Sequence, residues 1–193
     1  MTTPLTLTGQ IRAATREIHN VSDNLVNLKL VVALTDKQLY GRALMLFYYI
    51  HVQLEASIRK HQDHDAFRGL YEILNEIARA DGIAKDLRFY LGEDWSTKYQ
   101  STQAVQNYVN HLQELEKKNP ILVLPYCYHM YMAMLAGGAM IKKLALRDTI
   151  KEKIDTVPHD EETKKKILAE SMTCFKMNNQ ERGNDDGNIF DFF

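Results

Sequence analysis

Apolar residues recur every three to four positions along nearly the whole chain, the signature of helices buried along one face. The pattern predicts a first helix over residues 7–26, capped by Thr8. Thr35-Asp36-Lys37-Gln38 has the spacing of a capping box and opens a long helix through Ile58. Residues 43–50 of that helix are apolar on nearly all sides, which places it centrally. A third helix is expected over 66–80 and a shorter one over 83–91, followed by a turn at Gly92-Glu93-Asp94. The next, 102–117, puts Tyr108, Leu112 and Leu115 on one buried stripe. Asn119-Pro120 marks a boundary, and Pro125 suits the first turn of the following helix, with residues 121–124 as a lead-in. That helix should run to about Leu146, with 147–156 continuing as a short helix. Val157-Pro158-His159-Asp160 then breaks the chain and caps a last helix to about Asn179. The expectation is an all-α fold, a single-domain helical bundle over residues 1–180, with a polar and aromatic tail over 181–193.

One segment departs from the amphipathic rule. Residues 130–140 read Met130-Tyr131-Met132-Ala133-Met134-Leu135-Ala136-Gly137-Gly138-Ala139-Met140. Glycine weakens a helix interior by about 1 kcal/mol unless something must approach its backbone. Thioethers also adapt to irregular surfaces. Two readings fit: a close helix crossing, or a face against which a large ligand packs.

Composition narrows the function. The 193 residues carry a formal net charge of -1, which gives no reason to expect nucleic-acid binding. Cys127 and Cys174 make neither a disulfide framework nor a zinc set and are expected as buried thiols. No run is long enough to span a bilayer, and the start has no basic-then-apolar signal, so a cytoplasmic or organelle-interior location is expected.

Arg12, Arg16 and His19 fall at i, i+4 and i+7, on one helix face. That face suits an anionic ligand with a metal or proton acceptor at the imidazole; it equally suits a solvated basic surface. His51 lies in the apolar second helix and needs a partner there. Glu55, Glu72 and Glu76 raise a di-metal bundle, but that site requires Glu-x-x-His motifs on two helices, and none is present. Solvated helix faces are expected for these carboxylates. His61 and His64 are expected in a solvated loop, and His111, His129 and His159 carry no special role.

Two strings, Gln10-Ile11-Arg12-Ala13-Ala14-Thr15-Arg16-Glu17-Ile18-His19 and Tyr128-His129-Met130-Tyr131-Met132-Ala133-Met134-Leu135-Ala136-Gly137-Gly138, make the chain similar to the heme oxygenase family. Residues 107–112 and 169–178 support the likeness. The resemblance implies haem (iron protoporphyrin IX) as both cofactor and substrate, with His19 as axial iron ligand. It further implies Arg12, Arg16, Tyr128, Arg147 and Lys151 near the propionates, and Gly137 and Gly138 against the haem plane. About thirty residues of the family pattern are missing after Lys143.

The distal side departs from the family. The pattern Leu-Gly-Asp-Leu-Ser-Gly-Gly is here Met132-Ala133-Met134-Leu135-Ala136-Gly137-Gly138. The close-approach glycine is Ala133, and the aspartate that organises distal water is Met134. An arginine position is Met130, a distal tyrosine position is His51, and Asn178 is retained. A thioether delivers no proton, although it can ligate iron. The resemblance therefore implies cleavage of haem to biliverdin, carbon monoxide and ferrous iron, with His51 and Asn178 in the catalytic roles. It also implies an electron-donating reductase or ferredoxin and a monomer. The alternatives are a haem-binding protein that stores, senses or transfers haem uncleaved, and a haem-free helical interaction module.

Overall fold

The computed structural model describes residues 5–19, 36–136 and 141–180, and these are helical almost throughout. Helix α1 (Leu7–Ala14) is capped by Thr6 rather than Thr8, with the Gly9 N–H donating to Thr6 Oγ1 at 3.2 Å. Thr8 lies inside the helix, where its N–H and Oγ1–H donate to the two oxygens of Asp155 at 2.7 and 3.0 Å. The helix pauses at Thr15, whose hydroxyl donates to the Ile11 carbonyl at 2.9 Å, and resumes over 16–19. The remainder of the predicted 7–26 span lies outside the described residues.

Helix α2 (Lys37–Lys60) is the long central element. Asp36 caps it, accepting the N–H groups of Gln38 and Leu39 at 2.7 and 2.9 Å. The predicted 66–80 helix is two, α3 (Asp65–Glu72) and α4 (Leu74–Ile77), divided at Ile73. Helix α5 (Ala80–Leu91) starts earlier than its apolar pattern suggested, because the buried Glu55 carboxylate accepts the N–H groups of Arg79 and Ala80 at 2.7 and 2.8 Å. Glu55 is therefore not on a solvated face. Alongside, α2 and α5 approach so closely that a Cβ on Gly41 would lie 2.7 Å from Leu91.

Gly92 reverses the chain at φ 97°, and a short helix missed by the periodicity, α6 (Trp95–Lys98), follows. The buried Trp95 ring anchors it edge-on to Tyr48, centroids 5.0 Å apart. Helix α7 (Gln103–Lys118) is capped by Thr102 and buries Tyr108, Leu112 and Leu115 as expected. A 3-10 turn (Pro120–Val123) leads into α8 (Leu124–Ala136), with Pro125 in its first turn. Helix α9 (Ile141–Asp155) runs without a break through Leu146, correcting the boundary placed there. Asp160 accepts the Thr163 N–H at 2.7 Å and caps α10 (Glu161–Gln180).

The main core surrounds α8, where Tyr126, Cys127 and Tyr131 are buried against Tyr108 and Cys174. Cys127 and Cys174 are buried free thiols, as expected. A second core of Met45, Ile83, Leu87, Leu91 and Trp95 joins α2, α5 and α6.

Glu116 ties α7 to α2, accepting from Ser57 Oγ at 2.7 Å, Lys60 Nζ at 2.5 Å and His61 Nε2 at 3.1 Å. Burial opposes its charge, but the bonds from Lys60, Ser57 and His61 prevail and hold the carboxyl below its ordinary 4.5. A carboxylate depressed in the folded state stabilises above its unfolded pKa, and that stability is lost as pH falls through the folded value. Glu116→Gln should therefore melt below the parent at pH 7, and the gap should narrow as pH drops under 4.5. Melting curves with a pH-independent gap would refute this assignment.

Candidate functional site

At one end of the bundle, the turn after α1 presents His19 as an exposed side chain. Its ring lies 5.4 Å, centroid to centroid, from Phe175 on α10. The same Phe175 ring meets His129 of α8 edge-on at 4.6 Å. His129 is buried, and its Nε2 has no hydrogen-bond partner among the described residues. Burial, then the neighbouring His19, push its pKa down to about 3, so His129 is a neutral imidazole.

Tyr128, the preceding residue, gathers the basic groups. Burial raises its phenol pKa; of its charged neighbours, Arg12 and Arg147 act to lower it and Asp155 to raise it. Arg12 of α1 and Arg147 of α9, far apart in sequence, thus both lie near enough to the Tyr128 hydroxyl to act on it electrostatically. The Arg147 Nε is buried without a partner among the described residues. Asp155 holds the start of α1 through Thr8 and so fixes the helix that leads to His19. Arg16 is exposed, and Lys151 pairs with Asp148 at 3.0 Å on the surface.

A second polar group lies in the core. His51 is fully buried, and its Nδ1–H donates to the Phe47 carbonyl at 2.9 Å. That bond fixes the tautomer and leaves Nε2 as a bare acceptor, with no partner among the described residues. Burial lowers the His51 pKa despite the Phe47 bond, so the ring is neutral. Tyr131 of α8 stands edge-on to it at 5.7 Å, and its hydroxyl is likewise buried and unpartnered there.

Met134, one turn beyond Tyr131, is half-buried and packs on the Met45, Ile83, Leu87, Leu91 and Trp95 cluster. Met130 is core. Ala133 is exposed, although α8 is otherwise buried over most of its length, so the helix surfaces there. Asn178 on α10 is half-buried, with Nδ2 directed at Cys174 Sγ at 3.7 Å. Gly137 and Gly138 lie outside the described residues.

The other polar groups serve structure. Glu72 pairs with Lys153 at 2.6 Å, His64 accepts the Ala66 N–H at 3.1 Å, and His61 binds Glu116. His111 and Tyr126 meet the Glu170 carboxylate at 3.1 and 2.7 Å, joining α7, α8 and α10. Among the described residues, no three His, Cys, Asp or Glu side chains converge on a metal position.

A bundle of this form, with an imidazole and a convergent basic group at one end, belongs to the class of all-α folds seen in solved heme oxygenases. The structure aligns with heme oxygenase 2 from Chlamydomonas reinhardtii, crystallised without heme, at a TM-score of 0.83, with 29% identity over 91% of this chain and 95% of that one. It aligns with heme oxygenase-2 from Synechocystis, in complex with heme and NO, at 0.81 and 22% identity, over 91% and 83%. The heme oxygenase of Porphyra purpurea is 25% identical, over 89% of this chain and 83% of its own. The family profile for heme oxygenase matches residues 5–153. The chain belongs to the heme oxygenase family.

Sequence reasoning missed His129, Phe175 and Tyr131. The signal for two of them was available: a histidine and a tyrosine inside an otherwise apolar central helix must be buried. Phe175 looks like any other core aromatic until α10 is laid against α1.

Proposed function

We propose that this protein binds haem through His19 and cleaves it to biliverdin, carbon monoxide and ferrous iron. The observation that carries the reading is the convergence of an exposed His19, on a wall of Phe175 and His129, with Arg12 and Arg147 at Tyr128. These residues fit the group. An exposed imidazole beside an aromatic wall is of the type that ligates iron, and a buried guanidinium nitrogen without a partner among the described residues suits an anion such as a propionate. Bound haem supplies both the iron that binds oxygen and the ring that is oxidised.

The chain's own contribution is to hold and orient that plane and to place protons. His19 would anchor the iron; Arg12, Arg147 and Tyr128 would grip the carboxylates, with Arg16 and Lys151 adding positive charge at the rim. Gly137 and Gly138 would admit the plane to the distal helix. On that side Met134 offers no acid. Polar work would pass to His51, whose Nε2 accepts, and to Asn178, whose amide donates and accepts. An external reductase or ferredoxin would supply electrons to the monomer. No helix among the described residues is long and apolar enough to cross a membrane.

Reconstitution with haem, a reductase and oxygen should yield the biliverdin absorption band together with carbon monoxide. Intact haem after reduction would instead support binding without turnover, the reading that Met134 on its apolar cluster favours. Met134→Asp separates the two. An acid restored there should raise the biliverdin rate about tenfold or more. The half-buried carboxylate should also lower the melting temperature, because charge is costly against an apolar cluster. A rate equal to the parent's would show that the missing acid does not limit the reaction.

A further inference from the structure

Tyr126 joins helices, but its surroundings hold more chemistry than a joint requires. The ring is fully buried on α8, and its hydroxyl donates to Glu170 Oε2 of α10 at 2.7 Å. His111 of α7 closes the group, its Nε2 2.9 Å from the Tyr126 hydroxyl and 3.1 Å from the same carboxylate oxygen. A carboxylate only accepts, so the Nε2 that faces it is an N–H. Burial, then Glu170, push the Tyr126 phenol far above its ordinary range, and it stays protonated. On its inner side Tyr126 stands edge-on to the buried Tyr108, ring centroids 5.8 Å apart. The Tyr108 hydroxyl lies 3.3 Å from Cys174 Sγ, which Asn178 Nδ2 approaches at 3.7 Å. Cys174 directly precedes Phe175, the ring beside His19. A file of oxidisable side chains thus runs from the candidate haem site to the half-buried pair of His111 and Glu170.

We propose that Tyr126 is a redox-active tyrosine, which gives one electron by way of Tyr108 and Cys174 to a haem site oxidised by hydrogen peroxide, while its proton passes to Glu170. A buried phenol alone resists oxidation, because its proton has nowhere to go once the electron leaves. A base that takes it must lie within hydrogen-bond reach, and the Glu170 oxygen does. The Tyr126 O–H bond breaks and an O–H bond forms on Glu170 Oε2. The electron reduces the oxidised haem site by one equivalent, and a neutral phenoxyl radical remains. His111 keeps an N–H directed at both oxygens and so holds the radical in place. A small one-electron reductant in solution, of the ascorbate class, returns the electron, and Glu170 returns the proton. Peroxide damage is thereby moved from the haem site to a side chain that can be restored.

The inference rests on haem being bound at this end of the bundle, and the test keeps the two apart. Parent, Tyr126→Phe, Glu170→Gln and Tyr71→Phe proteins are loaded with haem, and loading is checked by absorption. Each is then mixed with one equivalent of hydrogen peroxide, without reductant, and frozen for electron paramagnetic resonance. The parent should give a tyrosyl signal that narrows when its tyrosines are ring-deuterated. Tyr126→Phe should lose that signal, whereas Tyr71→Phe, at an exposed tyrosine, should keep it. Glu170→Gln still offers an oxygen to the hydroxyl but is no base, so the signal should weaken while the haem-free protein melts close to the parent. A merely structural joint would leave the signal unmoved. A loaded parent without a tyrosyl signal would overturn the proposal alone, as would an unaltered signal in Tyr126→Phe. Should that variant not fold, an undiminished signal in Glu170→Gln overturns it. A protein that takes up no haem would overturn the haem reading as well.

Discussion

Replacing His19 by alanine should abolish tight haem binding, with affinity falling on the order of a hundredfold, about 3 kcal/mol. The side chain is exposed, so its truncation opens no cavity in the core. The far-ultraviolet circular dichroism and melting temperature of the haem-free protein should match the parent. Titration of haem, followed at its main absorption band, reads the affinity directly. A variant that binds as tightly as the parent, with the same spectrum, would remove His19 from the site.

Glu55→Ala should be the most damaging single change to stability, at about 2–5 kcal/mol. The carboxylate is buried and accepts two backbone N–H groups, from Arg79 and Ala80, besides the Arg59 guanidinium at 3.3 Å. Alanine would leave both N–H groups without an acceptor at the start of α5 and open a cavity beneath it. Glu55→Gln keeps one carbonyl oxygen and should cost clearly less. Urea unfolding of the three proteins gives the order, and equal midpoints for parent and alanine would contradict it. The loss should extend to the site, because α5 packs along α2, which carries His51 one turn before Glu55.

Much of the fold was legible because helices announce themselves through periodicity and caps. The boundaries at Asp36, Thr102, Asn119 and Asp160 follow from side chains that cap locally. Two of the misplaced boundaries, the starts of α1 and α5, share one physical cause. Thr8, Arg79 and Ala80 owe their hydrogen bonds to carboxylates distant in sequence, Asp155 and Glu55, and no local window contains that information. The same division runs through the site. His19, Arg12 and Tyr128 could be proposed from short strings, whereas the electrostatic influence of Arg147 on Tyr128, and the ring contact of His129 with Phe175, exist only once α9 and α10 are in place. Glu55 was misread as solvated because a carboxylate buried to cap a neighbouring helix looks, in sequence, like one facing water.

The carboxylate of Asp155 that holds Thr8 lies 147 positions further along the chain, and Phe175 lies further still. The segment bearing His19 therefore leaves the ribosome long before the groups that anchor it. Contacts so distant in sequence close late, since loop closure must precede any gain from them. During synthesis the central helices can pack early around α2 and α5, but the surroundings of His19 stay unfinished until α9 and α10 have emerged. A growing chain thus lacks Asp155 and Phe175 around the His19 segment until α10 has been made.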